Sequence, residues 1–165
     1  MTRRKFIKRT TATAVGAAAV TESAGKPARA GQTGGARSKA KTGRRKISTE
    51  GAPKPVGPFS QAIVAGNTIY VAGQGPFNPG TGKMPAGFEE QAVQTFENVK
   101  AIVESAGATL ADVVKVNVYL TDLNNFAKMN EVYMRYFRDP YPARATVGTQ
   151  LLGGMSIEVE CVAVI

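Results

Sequence analysis

The chain has 165 residues, enough for one ordinary domain with a core, and its single cysteine and complete lack of histidine exclude an internal disulfide, Ser-His-Asp or Cys-His catalysis and the HExxH type of zinc site. Its net charge of +9 suggests a nucleic-acid partner until it is divided: residues 1–50 hold 13 Lys/Arg against 2 Asp/Glu, whereas residues 51–165 hold 8 against 10, which removes the electrostatic case for a DNA-binding domain. No apolar run approaches transmembrane length, so any chemistry rests on carboxylates, arginine, hydroxyls, backbone groups and water.

The chain opens with "TRRKFIKR", in which Arg3 and Arg4 precede Phe6, Ile7 and Lys8. A weakly apolar stretch, Ala12 to Val20, follows, and "ARA" at Ala28–Ala30 has the A-x-A form of a cleavage site. Residues 1–30 thus resemble a twin-arginine export signal, although Glu22 and Gly25 interrupt the apolar part early. A transit peptide, or a disordered basic tail on a cytoplasmic protein, is the alternative. Residues 31–50, "GQTGGARSKAKTGRRKISTE", have the composition of a flexible basic linker, and a compact domain is expected from 51 to 165.

Within that domain, "IVAG-N-TIYVAGQ" predicts two short strands, about 61–65 and 68–73, joined at Gly66-Asn67. "GPFNPGTGKMP" is turn-rich loop. It lacks the Lys-Ser/Thr of a phosphate-binding loop. From Phe88 the apolar residues Ala92, Phe96, Val99, Val103 and Ala106 recur on one helical face, with Glu89 and Glu90 at its start and Gly107 as a C-terminal cap. "DVVKVNVYL" alternates, placing Val114, Val116, Val118 and Leu120 against Lys115, Asn117 and Tyr119. A second helix should turn Phe126, Met129, Tyr133, Tyr136 and Phe137 inward and end by Asp139-Pro140. "ARATVGTQ" and "SIEVECVAVI" read as two final strands.

The order β-β-α-β-α-β-β predicts an α+β fold, a mixed sheet with two helices on one face. The opposite parity carries Tyr70, Ala72, Tyr119, Val162 and Val164, too apolar to remain wet, so self-association with cyclic symmetry is expected. If Ala143, Ala145 and Val147 face the helices, Arg144 and Thr146 face away. They would then share the intersubunit face with Glu158 and Glu160, where Arg144 could grip a carboxylate with two parallel hydrogen bonds. Cys161 falls in the core parity, as packing.

The blocks "GPFSQAI", "IYVAGQGPFNPGTG", Glu90 to Tyr133, "YFRDPYPAR" and "IEVECVAV" resemble, in order and spacing, the RidA/YjgF family of enamine/imine deaminases, from about Ile47 to Ile165. The resemblance implies a chorismate-mutase-like fold and a homotrimer whose sheets line a central barrel, with a cleft at each subunit interface. It implies hydrolysis of 2-iminoacids and 2-aminoacrylate-type enamines to 2-ketoacids and ammonia, without cofactor or metal. The family's carboxylate-binding arginine falls on Arg144 and its acidic residue on Glu158. The other site positions fall on Asn130, Gly73, Phe59 and Thr146. Glu158 would direct and deprotonate water, while backbone groups at Gly73 and Thr146 complete the cradle.

Three positions depart from the family pattern. The tyrosine of Gly-Pro-Tyr is Phe59, the serine before Gly-Gln is Ala72, and a frequent cysteine is Thr146. On general grounds Asn130 is expected to bond the main chain near the cleft, and Phe59 and Phe77 to be pocket wall or packing. The competing classes are a non-catalytic exported module that binds a small carboxylic acid and a ribonuclease. The acidic domain disfavours the ribonuclease.

Overall fold

The computed structural model describes residues 43–165. The export signal assigned to residues 1–30 and most of the linker lie outside the described residues. A six-stranded sheet runs in the order β1-β2-β3-β6-β4-β5, with β1 at Arg45–Ile47, β2 at Ala62–Ala65, β3 at Thr68–Gln74, β4 at Val113–Leu120, β5 at Ala143–Gly148 and β6 at Ile157–Val164. Only β4 and β5 pair in parallel. The helices α1, Phe88–Ser105, and α2, Phe126–Tyr136, cover one face, giving the α+β layout read from the sequence.

The β2–β3 hairpin turns where expected. Ala65 pairs with Thr68, and Gly66 takes φ +63°, a left-handed conformation that a two-residue loop demands and glycine adopts without strain. α1 buries Ala92, Phe96, Val99, Ile102 and Val103 against β3 and β6. It ends in paired reverse bonds: Gly107, at φ +95°, donates its N–H to the Glu104 carbonyl, and Ala108 donates to Val103. α2 meets α1 through aromatic rings, with Phe96 stacked on Tyr136 at 5.2 Å and edge-on to Tyr133 and Phe137. Val116, Val118, Leu120, Ile157 and Val159 are fully buried beneath the helices, each stabilising the fold by about 1.5–3 kcal/mol.

Four expectations need correction. The sheet begins before Gly51: Arg45–Ile47, read as linker, pairs with β2 and buries Ile47, because an edge strand needs only backbone partners and one inward side chain. Val114 is exposed and Val113 takes its place in the core, because an extra residue bulges β4 between Val113 and Lys115. On α2, Phe126 is exposed and Val132 is buried instead. Most consequential, β5 has the reverse parity. Arg144 pairs with Val116 and Thr146 with Val118, both core-facing, so Arg144 and Thr146 lie on the helix side while Val147 is exposed on the other. Tyr70 and Val164 are also exposed on that outer face, as the sequence suggested.

Candidate functional site

The expected site residues form two clusters on opposite faces of the sheet. Arg144 and Asn130 meet between β5 and α2, and Thr146 lies on the same side of β5. Glu158, Gly73 and Phe59 meet at the end of β3 and start of β6, where Glu158 pairs with Tyr119 on the outer face. Arg144 and Glu158 therefore do not share a face within one chain, contrary to expectation.

Arg144 is held by neutral groups. Its Nη2 donates to Oδ1 of Asn130 at 2.7 Å, and its guanidinium lies 4.6 Å from the centroid of the Tyr133 ring and 5.7 Å from that of Phe126. Asn130 thus serves the guanidinium rather than the main chain. Among the described residues no carboxylate lies within salt-bridge distance of Arg144. Beside it opens a cavity of about 440 Å³ lined by Asn130, Tyr133, Met134, Tyr141, Pro142 and Arg144. A cation held by an amide and ring faces keeps its full charge and much of its donor capacity for an anion. Burial pushes the Tyr133 phenol up to about 12, so the ring under the cation stays neutral. β5 is the edge of the sheet, so its outer side has no strand partner among the described residues. The Thr146 hydroxyl, on the helix side of β5, is buried and has no hydrogen-bond partner among the described residues.

The second cluster is built around a bulge. Between Val71 and Gln74, β3 carries one residue more than β6, which displaces Ala72 and Gly73 beside Glu158. A Cβ at Gly73 would lie 1.9 Å from Oε1 of Glu158, so the carboxylate occupies space that only glycine leaves open. No hydrogen bond to the Glu158 carboxylate forms among the described residues. Burial first, then the nearby charge of Glu160, hold its pKa above the ordinary glutamate value. Glu160 itself is engaged, accepting from Asn117 Nδ2 at 2.8 Å and from the Tyr119 hydroxyl at 3.0 Å. Glu158 opens on a cavity of about 550 Å³ whose wall includes Phe59, Ala72, Gly73, Phe77, Leu152 and Met155. Phe59 and Phe77 are pocket wall, one of the two options left open. Burial pushes the Cys161 thiol to about 12, in keeping with packing.

Three buried amides fix this second cavity, and reasoning from the sequence missed them. Gln61 accepts from the Thr49 N–H and donates to the carbonyls of Ala52 and Pro53, pinning the loop before β2. Asn98 donates to the carbonyls of Gly75 and Phe77 at 2.9 Å each. Gln91 accepts from the Ser156 N–H and donates to the Pro85 carbonyl. The available signal was Gln91 and Asn98 within the apolar stripe of α1, where an amide must find partners. Among the described residues no group of three or more His, Cys, Asp or Glu side chains gathers as a metal site.

Gly73→Ala tests the close approach. Glu158 must swing aside, and kcat for any reaction it serves should fall by about a hundredfold, since displacements of about 1 Å cost that much. The thermal transition should hardly move, because the clash is with the end of a flexible side chain. Stopped-flow rates and calorimetry on the same preparation check both.

Residues 49–165 match the family described as Endoribonuclease L-PSP. A RutC family protein of Pyrococcus abyssi is 56% identical over 119 residues, 71% of this chain and 94% of that one. The 2-iminobutanoate/2-iminopropanoate deaminase of Escherichia coli is 44% identical over 122 residues, 72% of this chain and 95% of that one. The crystal structure of RidA from the Antarctic bacterium Psychrobacter sp. superposes with a TM-score of 0.72 at 49% identity, covering 73% of this chain and 99% of that one. The chain belongs to the Endoribonuclease L-PSP family, the group to which RidA proteins belong.

Proposed function

We propose that this protein hydrolyses reactive 2-iminoacids, and the 2-aminoacrylate-type enamines that tautomerise to them, to 2-ketoacids and ammonia. One observation carries the reading. Among the described residues, an arginine with no carboxylate partner and a glutamate with no hydrogen-bond donor each line an open cavity, on opposite faces of the sheet. A second copy that brings its Arg144 to the Glu158 cavity completes a site that one chain holds in halves. The apolar outer face and the unpaired β5 edge support such assembly, and a cyclic homotrimer with three intersubunit clefts is the form we adopt. The relative named as a deaminase supports the same chemistry.

In this mechanism Arg144 grips the substrate carboxylate with two parallel bonds, and Asn130 and the Tyr133 ring hold the guanidinium plane. Glu158 takes one proton from water as its oxygen bonds to C2 of the imine, and it passes that proton to the nitrogen, which receives the C=N π pair. The resulting carbinolamine gives its hydroxyl proton, by way of Glu158, to the nitrogen as the C–N bond breaks and the C=O bond forms, releasing ammonia. No electrons are transferred, and neither cofactor nor metal is required. Backbone groups near Gly73 and Thr146 orient the ligand. Uncatalysed imine hydrolysis is already fast, so positioning and modest acid–base help suffice.

Although the family description names an endoribonuclease, residues 51–165 carry more acidic than basic residues, and Arg144 is the sole cation in its cavity wall. A small anionic substrate fits that better than a polynucleotide. Binding of a small carboxylic acid without turnover is the competing reading. It is favoured by the lack of a hydroxyl at Phe59 and Ala72. Release of ammonia from a freshly generated iminoacid separates the two. For residues 1–30 we propose twin-arginine export to the periplasm or beyond, with no membrane attachment after cleavage; fractionation of the expressed full-length chain tests it.

The shared site has its own test. Arg144→Ala and Glu158→Gln proteins, each nearly inactive alone, should regain activity when refolded together. Under random assembly roughly a quarter of the interfaces then pair an intact arginine with an intact glutamate. A site contained in one chain recovers nothing.

A further inference from the structure

The substrate's side chain is also written in the cavity, an inference that rests on the deaminase reading. In a single chain the space beside Glu158 is about 550 Å³, and the second copy's Arg144 enters it in the proposed assembly, so the chemistry of the wall rather than its volume selects the side chain.

The wall is hydrocarbon wherever it is uncommitted. Phe59 is half-exposed, Leu152 is 85% exposed, and Phe77 and Met155 flank them. The polar side chains of the wall are turned to other work. Gln61 is bonded to the main chain of the loop before β2, and Nε2 of Gln74 donates to the carbonyls of Ala72 and Gly73. Lys54 pairs with Glu50 at 3.3 Å with its side chain largely in solvent, and Glu158 is the carboxylate that faces the space. An anionic substrate side chain would meet it as a like charge, and a cationic one would pair with it and occupy the base. Phe59 and Ala72, the positions that lack the family's hydroxyls, stand in this same wall. The loop carrying Leu152 is set by Gly153 and Gly154, both in the left-handed region, and a Cβ at Gly153 would touch the Phe77 ring at 3.4 Å. Leu152 and Phe77 are thereby held on the same cavity.

We infer that the site takes 2-iminoacids with branched or aromatic hydrocarbon side chains in preference to the three-carbon substrate, with Phe59, Phe77, Leu152 and Met155 forming the side-chain pocket. The reaction supplying them is then an oxidation of apolar amino acids to their imines.

The test uses the full chain and the imines of alanine, leucine and phenylalanine, generated in place by an amino acid oxidase and followed as imine loss above the uncatalysed rate. kcat/KM for the leucine and phenylalanine imines should exceed that for the alanine imine by about tenfold or more, the least that one methylene contributes in an apolar pocket. Leu152→Ser, at an exposed position that does not threaten folding, and Phe59→Ser should each reduce that ratio several-fold. If the alanine imine is hydrolysed as well as the others, or the ratio survives both substitutions, the deaminase reading stands and the side-chain pocket is refuted. If no imine is hydrolysed, both fall.

Discussion

Replacing Arg144 by alanine is expected to lower kcat/KM for 2-iminoacid hydrolysis by about a hundredfold or more. Two hydrogen bonds to a charged group, each contributing about 1.5–3 kcal/mol, account for a loss of that size. The effect should fall mainly on KM, because the carboxylate is held in the ground state as well as in the transition state. Stability should change little, since the guanidinium's internal partners are a neutral amide and two ring faces rather than a buried counter-ion. Arg144→Lys should recover only part of the loss, because an ammonium cannot present two parallel donors or lie flat on Tyr133. Steady-state kinetics with a melting curve on the same sample decides it. Unchanged kcat/KM in the alanine variant removes the proposed clamp.

Glu158→Gln should act on the other kinetic constant. The amide keeps the shape and loses the base, so kcat should fall by about 10²–10⁴ with KM nearly unchanged. The same substitution should stabilise the protein at neutral pH. The carboxyl's pKa is raised in the folded state, chiefly by burial and then by Glu160. Its favourable contribution is therefore complete below the unfolded value and is lost as pH rises through the raised folded value, which leaves the ionised form a cost at neutrality. Within one chain those two causes push the acid limb of the wild-type pH–rate profile above the pH at which an ordinary glutamate titrates, and the second copy's Arg144 pulls it back down. Glu160→Gln should move that limb to lower pH by removing a neighbouring negative charge. A limb that stays in place when Glu160 is neutralised would show that another group limits the rate.

Much of the fold was legible because local chemistry and tertiary packing agree. Gly66-Asn67 sits where a two-residue loop needs left-handed backbone. The apolar stripe of α1 matches its buried face, and Gly107 ends the helix. The most consequential failure has a simple cause: alternation reports that a strand has two faces, not which one the helices cover. In β5 the residues are Ala, Arg, Ala, Thr and Val, and alternation alone points the apolar set inward. Parallel pairing with β4 puts Arg144 and Thr146 inward instead. α2 accepts the guanidinium there because it offers Tyr133, Phe126 and the Asn130 amide. A cation can be half-buried on an aromatic surface, and strand parity has no way to signal that. The bulge that exposes Val114 is equally silent, since one extra residue leaves a valine run looking regular. The candidate site was legible as residue types and illegible as an arrangement. Gln61, Gln91 and Asn98, which hold the walls of the Glu158 cavity, looked like ordinary amides until their carbonyl partners were seen.

The separation of Arg144 and Glu158 onto two faces has a consequence for how such a catalyst behaves on dilution. If the site is shared between copies as proposed, a solitary chain carries every reactive group and does nothing with them, and turnover per molecule becomes a function of protein concentration. Below the association threshold the rate should climb more steeply than in proportion to the amount of protein, and above it the dependence becomes linear. Quaternary contact would then serve as the on-state.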